Sequence, residues 1–132
     1  YTYVFGKETD GTSYTLFPYP DSKDPSKTKY SPFCGITGYR LFPKDKSMTP
    51  DSIGTKDMMV VVVSKQPLDW YKLNQTISRQ PRSDYAVRVN NTLRTQISSN
   101  IRYESTATGT IKFQGATADN QVALCVVEIS KE

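Results

Sequence analysis

Met58-Met59-Val60-Val61-Val62-Val63, followed at once by Ser64-Lys65-Gln66-Pro67, is the stretch that decides how this chain folds. A continuous apolar run rich in β-branched residues has no polar face to turn toward water. It reads as a strand covered on both faces and placed centrally in a sheet. The residues after it carry helix-start chemistry, a capping serine and a proline suited to a first turn. Trp70, Leu73 and Ile77 then recur at helical spacing, which predicts an amphipathic helix over 68–78.

Downstream, Gln80-Pro81 breaks the helix. Ser83 is the expected cap of a second helix, with Asp84 in its first turn, where a carboxylate favours the helix dipole. Tyr85, Val89, Leu93 and Ile97 step by four and share one face. The Thr/Ser-rich stretch 102–109 reads as a strand at the sheet edge, and 110–114 as another strand. Val122 to Ile129 reads as a long apolar strand. Asp119-Asn120 marks a turn, so the last two strands are expected to form a hairpin around 115–120.

Upstream, Tyr1 to Phe5 and Ser13 to Phe17 read as two strands joined through the Asp10-Gly11 turn, a β-hairpin that stops at Pro18. From Pro18 to Gly38 the chain carries Pro18, Pro20, Pro25 and Pro32, each without an N–H to give. This is a loop of about twenty residues, a length that is functional, packed by its own side chains, or disordered. A short strand is expected over Tyr39–Phe42, then an irregular connection over 44–57. The assembled expectation is an α+β domain, with an antiparallel or mixed sheet of about six strands and two helices inserted after the central strand.

The 132 residues suit a single domain spanning 1–132. Tyr1 lies inside a strand pattern, so the chain reads as a fragment of a longer one. The run from Met58 to Val63 is too short to span a bilayer, so no transmembrane segment is expected. Net charge is +4, with the lysines Lys23, Lys27 and Lys29 in the proline-rich loop and the arginines scattered later. No dense basic block or basic–aromatic module accompanies them, so no nucleic-acid partner is expected.

The chain contains no histidine. That removes the commonest general base, the histidine-activated nucleophiles and most zinc ligand sets. Cys34, beside Phe33 and Gly35, is the one tempting nucleophile, but nothing in the sequence supplies the cation a reactive thiolate needs. Cys125 sits in an apolar strand and reads as core. Whether the two are paired stays open at this level. Glu8, Asp10, Asp21 and Asp24 do not follow an EF-hand spacing and read as turn carboxylates. Gly35-Ile36-Thr37-Gly38 lacks the lysine and helix of a phosphate loop. Asn74-Gln75-Thr76 and Asn90-Asn91-Thr92 match a glycosylation triplet but fall on expected helices. No catalytic, cofactor or metal residue is assigned.

Aromatic residues crowd the first 42 positions, and those in the long loop suit a contact surface. Tyr30, Phe33, Lys23, Lys27 and Lys29 are therefore the candidate partner-contact residues.

The segments Tyr1-Thr2-Tyr3-Val4-Phe5-Gly6, Leu16-Phe17-Pro18, Ser31-Pro32-Phe33-Cys34-Gly35-Ile36-Thr37-Gly38, Leu41-Phe42-Pro43 and Val62-Val63-Ser64-Lys65-Gln66-Pro67-Leu68-Asp69 together resemble the bacterial domain of unknown function 4384, in its Bacteroidetes form. The resemblance covers residues 1–98. It implies strands upstream of Tyr1 and no established catalytic residues. It implies a non-catalytic accessory or protein-interaction domain of a bacterial, exported, multidomain or complex-forming protein in the periplasm or cell envelope. Its partner would be another protein or other domains of the same polypeptide. The alternative it implies is a regulatory or substrate-recognition module attached to a caspase-like peptidase.

Overall fold

The computed structural model describes residues 1–7, 11–24, 26–33, 56–81, 84–94, 96–98, 102–105, 111–114 and 121–130. Its elements are strands β1 (Thr2–Lys7), β2 (Ser13–Phe17) and β3 (Lys56–Ser64), helices α1 (Trp70–Arg79) and α2 (Tyr85–Leu93), and strands β4 (Arg102–Ser105), β5 (Ile111–Gln114) and β6 (Val122–Ser130). The class is α+β.

The main sheet is antiparallel with four strands in the order β2-β1-β3-β6. The expected six-strand sheet is corrected here, because β4 and β5 pair only with each other, in a separate two-stranded ribbon. The expected hairpin between the last two strands is corrected for the same reason. β5 turns back on β4, while β6 runs along the whole of β3 from Lys56–Ser130 to Ser64–Val122. The physical cause is apolar length. β3 and β6 are each nine residues long and apolar, so they bury most against each other, whereas the four-residue β4 and β5 offer too little. The strand expected over 39–42, the connection 44–55 and the turn at 119–120 lie outside the described residues.

β3 is interior, as its sequence demands. Val60 and Val62 are fully buried on the helix side, where their register partners Phe5 and Tyr3 are buried too. Ile77 of α1 and Tyr85, Val89 and Leu93 of α2 complete that core. The opposite face is covered only in part, since Val4, Phe17, Ala123 and Cys125 are buried there while Met59, Val61 and Val63 of β3 itself are half-buried. β2 carries one extra residue. Val4 pairs with Phe17 and Phe5 with Thr15, which leaves Leu16 as a bulge. Gly6 makes room for it, because a Cβ there would sit 2.9 Å from Leu16 Cδ1.

α1 begins two residues later than its periodicity implies, because the Asp69 carboxylate caps it by accepting from Lys72 N. In α2 the cap is Asp84, whose side chain accepts from Ala86 N, not Ser83 with Asp84 inside the first turn. Ser83 lies outside the described residues. The four-step stripe ends at Leu93. Ile97 is no longer helical and instead bridges Val122 in parallel. Among the described residues no helix is long and apolar enough to cross a membrane.

Candidate interaction surface

After β2 the chain does not wander. It forms a finger over residues 18–33, folded on itself by short-range hydrogen bonds. Pro20 and Thr28 bridge antiparallel across its base. Asp21 N donates to Lys27 O at 2.9 Å, and Lys29 N donates to Tyr19 O at 2.7 Å. The tip is organised by its two carboxylates. Asp21 Oδ1 accepts from Lys23 N at 2.7 Å, and Asp24 Oδ1 accepts from the Ser26 hydroxyl at 2.6 Å and the Ser26 amide at 3.1 Å. Aspartate is suited to this because its short side chain mimics a turn of backbone. The Ser26 hydroxyl, then its amide, hold the Asp24 carboxyl below its ordinary range. The turn-forming role expected for Asp21 and Asp24 is what the geometry shows. Glu8 and Asp10 lie outside the described residues.

The base of the finger is pinned to the sheet. Thr2 N donates to Pro32 O at 2.9 Å. The Tyr30 ring stacks on the buried Phe17 ring, with centroids 6.4 Å apart and planes 14° apart. The Phe33 ring meets Tyr1 edge-on at 5.4 Å. The Phe17–Pro18 peptide is cis, and Tyr19 follows with φ of 29°, a left-handed conformation that turns its side chain outward.

These contacts sort the expected contact residues. Lys23, Lys27 and Lys29 are exposed, and Phe33 is 54% exposed. Tyr30 is only half-buried at the surface and serves as the hinge pin between finger and sheet. Lys29 Nζ lies over its ring at 5.3 Å. Lys27 Nζ also reaches Asp24 Oδ2 at 3.9 Å, an exposed pair of little energetic weight. Tyr19, 45% exposed, belongs to the surface and was not singled out by sequence. Its signal was its setting between two prolines, which forbids it a place in strand or helix and leaves its ring outside.

Cys34 and the glycines Gly35 and Gly38 lie outside the described residues. Cys125 is a free, buried thiol. Burial pushes its pKa up, opposed in part by a hydrogen bond with Tyr103, so it is poorly suited to be a thiolate at neutral pH.

A second polar constellation, absent from the sequence reading, lies on the helix side. Arg88 is 1% exposed. Its Nη1 donates to Gly11 O at 2.7 Å, and its Nη2 donates to Ile77 O at 2.9 Å and Ser78 O at 3.3 Å. Two of those acceptors are carbonyls of the last turn of α1, where a cation suits the dipole. Beside it, Tyr85 Oη and Ser13 Oγ lie 2.6 Å apart, and Ser13 N donates to Ser78 Oγ at 3.1 Å. Burial drives the Tyr85 phenol up to about 12. A phenol so hard to ionise and a guanidinium spent on backbone carbonyls form a clasp, locking the first hairpin onto both helices. The signal was available, because Arg88 sits three residues after Tyr85 and one before Val89, on the buried stripe.

No protein-family model, no curated protein and no solved structure matches this chain.

Proposed function

We propose that this chain is a non-catalytic protein-interaction domain that engages a protein partner through the finger 18–33. The observation that carries the reading is the pairing of a braced backbone with an outward display. Asp21 and Asp24 bond the backbone of their own turns, while Tyr19, Phe33 and three lysines face solvent. Aromatic rings held at the base of a hydrogen-bonded loop, as Tyr19 and Phe33 are, lose little entropy on binding and carry large contact area, which is how binding hot spots are built. The resemblance to an accessory domain of exported bacterial proteins supports the same reading and adds the envelope as its setting.

The experiment replaces Tyr19 and Phe33 together by serine and leaves Tyr30 in place, because Tyr30 packs on Phe17 and its loss would disturb the sheet. Affinity for the partner is expected to fall by roughly thirty-fold, the size of one hot spot of about 2 kcal/mol. Unchanged affinity in a folded double variant removes the finger from the reading.

A further inference from the structure

We infer that the face the finger meets on its partner is acidic, a protein surface that sets carboxylates against the ammonium groups of Lys23, Lys27 and Lys29. The inference rests on the reading of the finger as a contact surface and adds the chemistry of what it contacts.

The charged residues of the finger are Asp21, Lys23, Asp24, Lys27 and Lys29. The two signs are placed differently. Both aspartates are half-buried, and each gives one carboxylate oxygen to its own turn. Asp21 Oδ1 accepts from Lys23 N and Asp24 N, and Asp24 Oδ1 accepts from the amide and the hydroxyl of Ser26. A carboxylate bonded in this way is held close to the backbone. The three lysines are exposed and carry their charge at the end of a long flexible stem. In the Lys27–Asp24 pair the lysine side chain is 78% exposed and the aspartate 47%, and their separation of 3.9 Å offsets the ammonium only in part. Lys29 Nζ lies over the Tyr30 ring, beside the base of the finger. An approaching surface therefore meets positive charge first. The net charge of +4 on the whole chain adds attraction at longer range.

The aspartates also choose among acidic surfaces. Nucleic acid and a layer of anionic lipid headgroups present a continuous field of phosphate. Against such a field Asp21 and Asp24, interleaved with the lysines in sequence, face like charge, and that juxtaposition is costly. A folded protein presents discrete carboxylates, which stand opposite the lysines and leave the aspartates clear. Mixed signs at fixed positions give register against such a face and weaken binding to a uniform polyanion. Tyr19 and Phe33 add the apolar part of the contact.

A zero-length carbodiimide tests this, because it joins an amine to a carboxylate only where the two already touch. The 132-residue chain is treated with it in native extract, and the links are mapped by mass spectrometry. Amides are expected from Lys23, Lys27 or Lys29 to Asp or Glu side chains of one second protein. Their yield is expected to fall roughly fivefold between about 0.05 M and about 0.5 M salt, as the screening length shrinks. The internal Lys27–Asp24 amide shows that the reagent has reached the finger. If an amine-to-amine reagent links the finger to a protein while the carbodiimide gives only the internal amide, the acidic face is overturned and the finger reading stands. If neither reagent links the finger to a second protein, both fall. Co-sedimentation with vesicles of phosphatidylcholine and phosphatidylglycerol, lost in Lys23→Gln/Lys27→Gln/Lys29→Gln, makes a lipid surface the occupant and overturns the inference as well.

Discussion

Arg88 is the residue on which most of the tertiary clasp depends. Hydrogen bonds offset the cost of burying a guanidinium, and here both terminal nitrogens donate, Nη1 to Gly11 O and Nη2 to Ile77 O and Ser78 O. Arg88→Met removes these bonds, although Ile77 O keeps its bond from Gln80 N. It is expected to cost about 3 kcal/mol, read as a lower urea midpoint. Arg88→Lys should rescue little, since a single ammonium cannot span the fork. Tyr85 makes a second prediction at this scale. Its folded pKa is raised from 10.0 to about 12, so above pH 10 the unfolded chain releases the proton first. Its contribution is whole below about pH 10 and is lost as pH rises toward 12, on the order of 2 kcal/mol. Urea unfolding at pH 8 and pH 11 should show this loss in the wild type and a smaller one in Tyr85→Phe.

Among the elements, the helices depend on their caps. Asp69 and Asp84 each accept from the first turn of the helix they begin. Asp84→Ala is expected to lower stability by about 1 kcal/mol in thermal unfolding, and Asp84→Asn by less. Much of this level was legible beforehand. The run Met58–Val63 named the central strand, and Tyr85, Val89 and Leu93 named the buried face of α2. Pairing was not legible. The sequence neighbours β5 and β6 looked like a hairpin, but hydrophobic reach joined β6 to a strand more than fifty positions earlier. Local pattern reports which face of a strand is apolar and is silent on which strand lies beside it. Arg88 was overlooked because a charged residue on a helix reads as solvent-facing until its stripe is checked.

At the scale of the whole molecule, the fold separates its tasks. The helix face holds the core and the clasp, one edge of the sheet leads into the finger, and the other edge is β6. The position of the candidate contact loop was readable from its prolines and lysines. Its internal bonding was not, because that comes from Asp21 and Asp24 accepting from the backbone of their own turns. Neither was the sorting of Phe33 and Tyr19 to the outside and Tyr30 to the packed side, which depends on where Phe17 lies.

The central claim is that the finger meets a protein partner, and lysine crosslinking with mass spectrometry in native extracts tests it most directly. Lys7 and Lys72 are exposed outside the finger and serve as internal controls. Links are expected from Lys23, Lys27 and Lys29 to one specific protein, lost in the Tyr19→Ser/Phe33→Ser variant while the control lysines are unchanged. Links distributed evenly over all five lysines, or finger links that survive the double substitution, would contradict it.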